Sequence, residues 1–210
     1  LFWNGNRHNT AADKAAQEVY LRTIRECFPG CGVIGEEGSL SIDAVAPITA
    51  YFTLDPLDGT KAFVRRQSHG IATMVALVDF DAQGRGEVIS AYIGDINSDE
   101  VYGYRPGSDK VHRITRLDTF ETLGVDPISL PARDKLFGLL RDPPDRYSPV
   151  TQKLIAGFRD YEIMGSSLGT WAARLWKREV DALLLAKAHE TPWDSTPVIG
   201  ITRKLGFSYL

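Results

Sequence analysis

The sequence predicts a mixed α/β or α+β domain built in stacked layers. Segments with helical periodicity, such as residues 10–28, stand beside segments of strand type, such as Ile71 to Phe80. The two kinds mix without strict alternation, which favours packed layers over a regular βαβ series. The 210 residues, 43% hydrophobic and 24% charged, are enough to bury a sizeable core.

Taken in order, TAADKAAQEVYLRTIRECF over residues 10–28 reads as an amphipathic helix with Val19, Ile24, Cys27 and Phe28 near one face. Thr10 followed by Asp13 resembles a capping arrangement, and Pro29-Gly30 stops the helix. A short strand runs into GEEG, and Tyr51 to Leu54 forms a strand that ends at DPLDGT. A short helix is expected near Lys61 to Arg65, then strands at Ile71–Phe80, Glu87–Ile93 and Glu100–Tyr104, with DAQGRG as the hairpin between the first two. Between Gly107 and Pro131 the pattern weakens, which places a lobe boundary there. Residues 1–115 then form an N-terminal lobe with GEEG and DPLDGT, and residues 116–210 a C-terminal lobe with WDST, packed as one catalytic unit. Past the boundary the pattern gives a strand at Lys135–Leu140, helices at Val150–Phe158 and Leu168–Lys177, and a strand at Val180–Leu185. Pro197 is expected in the first turn of a last helix.

Composition narrows the function. Lys+Arg 24 against Asp+Glu 27 gives a net charge of -3, so bulk charge does not point to nucleic acid. No apolar run approaches the roughly 20 residues of a membrane helix. Cys27 and Cys31 lack a second ligand pair for zinc and read as ordinary thiols of a reducing compartment. The chain opens on Leu1 and shows no signal-peptide pattern, and the cytoplasm is the expected location.

The stretch FTLDPLDGT sets two carboxylates three residues apart around a proline. Pro56 holds Asp55 extended and lacks an N–H, so the ladder is expected to break there and the backbone to turn. Asp55, Asp58 and the Leu57 carbonyl can then face one space, an oxygen set of the kind magnesium prefers. Gly59 permits close backbone approach, and Thr60 opens a helix whose first N–H groups suit an anion. These features suggest phosphoryl chemistry. A DPLDG string also suits a surface turn. In haloacid-dehalogenase-like phosphatases the paired aspartates sit two apart, as D-x-D-G-T, whereas here they are one residue further apart. Direct attack by a metal-activated water is the other route.

GEEG, DPLDGT and PWDSTP, in that order and preceded by NTAAD, resemble the motifs of the inositol monophosphatase family. The resemblance implies an α/β/α/β/α sandwich, often a homodimer. It also implies magnesium-dependent, commonly lithium-sensitive hydrolysis of a small phosphate monoester with two or three ions. By that resemblance Glu36, Asp55, the Leu57 carbonyl, Asp58 and Asp194 are metal ligands. Thr60 and Asp13, with Glu36, serve the attacking water, and the backbone of Gly59 and Thr60 holds phosphate. Ser166 and Lys187 are the candidate substrate contacts. Glu37 reads as solvated or as a neighbour standing behind the ligands, Trp171 and Trp193 as packing residues, and His69, His112 and His189 form no ligand pattern. GSSLGT lacks the arginine common before this helix in the family, and AKAHETP matches no acidic inositol contact, which leaves the alcohol open. Inositol monophosphate, a nucleoside bisphosphate, a sugar phosphate and histidinol phosphate all remain candidates. A non-catalytic metal- or phosphate-binding protein on the same fold is the alternative.

Overall fold

The computed structural model describes residues 10–124, 133–185 and 191–208. Helix α1 (Ala11–Cys27) opens on a full capping box in which the Thr10 side chain accepts from helix N–H groups and Asp13 bonds back to the Thr10 backbone. Strands β1 (Gly32–Gly35), β2 (Ser41–Ile42) and β3 (Ala50–Asp58) follow, then the short helix α2 (Thr60–Val64). After it come β4 (Ala72–Phe80), β5 (Gly86–Asp95), β6 (Glu100–Tyr104), β7 (Val111–Thr115) and β8 (Thr119–Leu123). These eight strands form one sheet in the order β2-β1-β3-β4-β5-β6-β7-β8, antiparallel except for the β1–β3 pair. The rest of the chain supplies β9 (Phe137–Leu140), α3 (Pro149–Ile155), β10 (Asp160–Ile163), α4 (Leu168–Trp176), β11 (Ala182–Leu184) and α5 (Pro192–Lys204). The three strands here pair in parallel in the order β10-β9-β11.

Side-chain alternation along β4 shows how the layers stack. Ala72, Met74 and Ala76 join the core built with α4 and α5, whereas Val75 and Leu77 pack toward Ile24 of α1 with Val33 and Phe52. On the small sheet, Leu139 joins the α4–α5 core while Leu140 packs with Tyr147 and Ile155 of α3. The order is therefore α1, large sheet, α4 with α5, small sheet, α3, the expected α/β/α/β/α sandwich. Helix α4 buries residues all round its circumference, as a helix between two sheets must.

The structure corrects several local expectations. Strand β3 does not end at Pro56. Its pairing with β4 runs from Ala50 to Asp55, breaks, and resumes at Asp58 opposite Ala72, so the missing N–H makes a bulge where a turn was expected. Regular pleating would send residues three apart to opposite faces, and the extra residue of the bulge offsets this. The weak pattern between Gly107 and Pro131 hides the β7–β8 hairpin, whose β8 residues are mostly exposed and so carry little apolar signal. Strand β10 is exposed for the same reason. Helix α5 starts at Pro192, which leaves Pro197 inside the helix and not in its first turn. Among the described residues no helix is long and apolar enough to cross a membrane.

Gly169 fixes how closely α4 approaches the large sheet. A Cβ there would lie 2.8 Å from Ile93, 3.0 Å from the Met74 sulfur and 3.1 Å from Ala72. Gly169→Ala should therefore lift the helix end and cost about 1–3 kcal/mol. Urea unfolding measures this, and an unchanged midpoint would contradict the close packing.

Candidate active site

Three separate stretches deliver carboxylates to one place. Glu36 leaves the end of β1, pinned by its N–H to the Leu54 carbonyl at 3.1 Å. Asp55 sits at the β3 bulge, with its Oδ1 accepting from the Leu57 N–H at 2.9 Å. Asp194 lies in the first turn of α5, where the Thr191 hydroxyl donates to its Oδ2 at 2.5 Å. Each of the three offers an oxygen, and these oxygens all lie within 4.8 Å of one another. Asp55 is only 2% exposed.

Asp58 stands outside that group of three but interacts with it. Its Oδ2 accepts from the Ser167 hydroxyl at 2.6 Å and from the Gly169 N–H at 2.7 Å, so it is tied to the N-terminus of α4. Burial, followed by repulsion from Asp58, Glu36 and Asp194, holds the Asp55 carboxyl well above its ordinary range. Asp58 is pushed up to about 7 by burial and then by Asp194, with the Gly169 and Ser167 bonds and the Arg141 charge opposing the shift.

Thr60 follows Gly59, which takes the left-handed conformation (φ 93°) as the N-cap of α2; a Cβ at Gly59 would lie 2.1 Å from the Gly70 carbonyl. The Thr60 hydroxyl can donate to the Leu57 carbonyl at 3.2 Å or to Asp13 Oδ1 at 3.4 Å. Asp13, 1% exposed, thus does two things. One oxygen closes the α1 cap through the Thr10 N–H at 2.7 Å, and the other faces Thr60.

The other candidates distribute as follows. The Ser166 hydroxyl donates to the Gly70 carbonyl at 2.7 Å, which ties the turn before α4 to the segment leading into β4. Lys187 and His189 lie outside the described residues. Glu37 is buried, which removes the solvated reading and leaves that of a neighbour behind the ligands; the 3-10 turn Glu37–Ser39 packs against α1, where Gln17 donates to the Glu37 carbonyl at 3.3 Å. Trp171 is fully buried as a packing residue, and Trp193 is half-buried. His69 is exposed after α2, and His112 lies on β7. Sequence reasoning missed the Ser167 and Gly169 grip on Asp58. It also missed Arg141, whose Nη1 donates to the Ser166 carbonyl at 2.8 Å. The GSSLG letters signal an N-cap, but nothing in them names the partner.

The donor set is all oxygen, negatively charged and partly buried, which suits a hard divalent cation. Without one, the shared pocket raises its own carboxyl groups, as Asp55 and Asp58 show.

The fold and these residues agree with what the chain resembles. Residues 4–118 match the model of the inositol monophosphatase family. Inositol-1-monophosphatase of Bacillus subtilis (strain 168) is 25% identical over 210 residues, covering 98% of this chain and 73% of that protein. The 3'(2'),5'-bisphosphate nucleotidase CysQ of Salmonella typhimurium LT2 is 36% identical over 70 residues, covering 33% of this chain and 28% of its own. Among solved structures, inositol monophosphatase-II from Staphylococcus aureus MSSA476 superposes with a TM-score of 0.73 at 20% identity, over 92% of this chain and 68% of that one. An IMPase/NADP phosphatase complexed with Mg2+ and phosphate gives a TM-score of 0.67 at 18% identity, over 97% of this chain and 72% of that one. The chain belongs to the inositol monophosphatase family, and so to the phosphoric monoester hydrolases.

The raised carboxyls carry a pH signature. A folded-state pKa above the unfolded value gives stability that is present below about pH 4 and lost as pH rises through about 7. A cation that needs the ionised carboxylates reverses this loss. The rise in melting temperature on adding Mg2+ to EDTA-treated protein should therefore be larger at about pH 8 than at about pH 5. Equal rises at both pH values would contradict the coupling.

Proposed function

We propose that the chain is a magnesium-dependent phosphatase that hydrolyses a small phosphate monoester by direct attack of water. The observation that carries this reading is the meeting of Glu36, Asp55 and Asp194, from three distant stretches, within 4.8 Å of one another. Glu36, Asp55, Asp58, Asp194 and the Leu57 carbonyl are the proposed ligands of two or three ions. Bound Mg2+ lowers the pKa of a coordinated water and offsets the charge of the phosphate.

The chain's own groups do the rest. Thr60 has a single hydroxyl proton, directed to the Leu57 carbonyl or to Asp13, and its lone pairs can accept a hydrogen from the attacking water. Asp13, with one oxygen on the Thr10 N–H at the α1 cap and the other facing the Thr60 hydroxyl, would take up the proton through that hydroxyl. Glu36, directly after β1, bonds through its backbone N–H to the Leu54 carbonyl, and its carboxylate beside Asp55 and Asp194 would serve the same water. The first N–H groups of α2, with Gly59 leading in, lack intrahelical acceptors and suit the phosphate oxygens. Ser166 and Lys187 are proposed to border the alcohol. The N-terminal lobe (1–115) and the C-terminal lobe (116–210) would act as one unit, since Asp194 comes from the second and the other ligands from the first. Assembly as a cytoplasmic homodimer and sensitivity to lithium complete the proposal.

Release of inorganic phosphate from a panel of inositol, nucleotide, sugar and histidinol phosphates, with Mg2+ and with EDTA, tests it. Turnover is expected only with Mg2+; metal-dependent binding without phosphate release would favour a non-catalytic protein. Asp55→Asn should lower kcat by about 1,000-fold or more with the fold retained by circular dichroism. Near wild-type turnover in that variant would refute the assignment. Thr60→Ala should lower kcat by about 100-fold with little change in KM. A change confined to KM would instead make Thr60 a binding group.

A further inference from the structure

Along α1, Asp13, Gln17, Tyr20 and Ile24 recur three or four residues apart and so share one face of the helix. Ile24 anchors that face in the core with Val33 and Phe52, but the three residues before it carry polar tips, each directed to a different part of the carboxylate site. Asp13 faces Thr60, and Gln17 donates to the Glu37 carbonyl beside Glu36. The Tyr20 hydroxyl lies 2.8 Å from the Thr73 hydroxyl of β4. The proposed hydrolysis uses Asp13 but gives Tyr20 and Thr73 no part.

Thr73 stands where the large sheet is irregular. Asp55 pairs with Met74 and Asp58 with Ala72, so Thr73 alone on β4 is opposite both Pro56 and Leu57. Pro56 has no N–H to offer it. The Thr73 hydroxyl donates across the bulge to the Asp55 carbonyl at 3.5 Å. A carbonyl only accepts, so the Thr73 proton is spent there and the Tyr20 hydroxyl is the donor to Thr73. Burial raises the Tyr20 phenol above its ordinary range, the Thr73 bond opposes this, and the Asp55 charge adds to it, which keeps the phenol protonated for that role.

The two sides of the sheet divide the work. Thr73 shares the α1 side of β4 with Val75 and Leu77, whereas Met74, the partner of Asp55, joins the α4–α5 core. The carbonyl that Thr73 holds belongs to the Asp55–Pro56 peptide, which lies between two proposed ligands, the Asp55 carboxylate and the Leu57 carbonyl. Rotation of that peptide would move both oxygens, and two hydroxyl bonds in series, rooted in α1, restrain it.

We propose that Tyr20 and Thr73 are positioning residues of the metal site, a pair of hydroxyls through which α1 fixes the bulge that aims Asp55 and the Leu57 carbonyl. This rests on the metal ligands named in the phosphatase reading above. Neither hydroxyl touches substrate or ion, so their contribution is read in metal affinity, and excess Mg2+ should recover turnover lost in the variants.

The test measures Mg2+ affinity of EDTA-treated protein by calorimetry, and phosphate release from any ester that the wild type turns over, for Thr73→Val, Thr73→Ser, Tyr20→Phe and the Tyr20→Phe, Thr73→Val double variant. Thr73→Val keeps the shape without the hydroxyl and should weaken Mg2+ binding about 10-fold or more. Thr73→Ser keeps the hydroxyl without the methyl and should stay within about 3-fold of the wild type, whereas a packing role would reverse that order. Tyr20→Phe should weaken binding about 3-fold or more, and the double variant no further than Thr73→Val alone, because Tyr20 acts through Thr73. Tyr20→Phe removes one oxygen from a half-buried side chain and decides the matter if the valine variant does not fold. Wild-type affinity in Tyr20→Phe or Thr73→Val, no rescue by serine, or effects that multiply in the double variant would overturn the proposal. If Mg2+ affinity falls as stated while the wild type releases no phosphate, the positioning role stands and the phosphatase reading falls. Magnesium-dependent turnover with Mg2+ affinity untouched in every variant gives the reverse.

Discussion

Burying like charges together is the constraint around which this molecule is organised. Asp55 is almost wholly inside the protein with Asp58, Glu36 and Asp194 as electrostatic neighbours, and its carboxyl is held high by burial and by all three. A fold gains nothing from such an arrangement by itself. The surrounding structure instead determines it: the bulge at Pro56, the pinning of Glu36 to Leu54, and the Ser167 and Gly169 bonds to Asp58. A divalent cation would supply the compensation that the chain's own groups give only in part.

The layers explain how distant segments meet. Strand β3 is central in the large sheet, paired to β1 on one side and β4 on the other, so Glu36 and Asp55 come from adjacent parallel strands. Helices α4 and α5 lie between the sheets and bring their N-terminal ends to the same region, one gripping Asp58 and the other carrying Asp194. Close packing of α4 at Gly169 makes the first of these contacts possible. The site thus draws its rigidity from regular elements, with the β3 bulge and the left-handed Gly59 as local irregularities.

Much of this was legible in the sequence, for physical reasons that differ by element. Helix α1 announces itself by a cap in which Thr10 and Asp13 are neighbours in sequence, whereas of the apolar face read there only Ile24 is buried and Val19, Cys27 and Phe28 are exposed. The acidic motifs are short and local, so their residues could be named before their meeting was known. The bulge was half visible: Pro56 had to interrupt the ladder, but only the pairing of Asp58 with Ala72 shows that the strand resumes. Strands β8 and β10 were hidden because their side chains are exposed and lack the alternation that burial imposes. Ser167 and Gly169 lie 109 and 111 residues from Asp58, and Arg141 lies 25 residues from Ser166, so no local pattern encodes these contacts.

The most direct test of the central claim is an anomalous difference map from crystals soaked in Mn2+. A peak bounded by Glu36, Asp55 and Asp194 is the predicted result. Strong manganese peaks elsewhere with none at these carboxylates would contradict it.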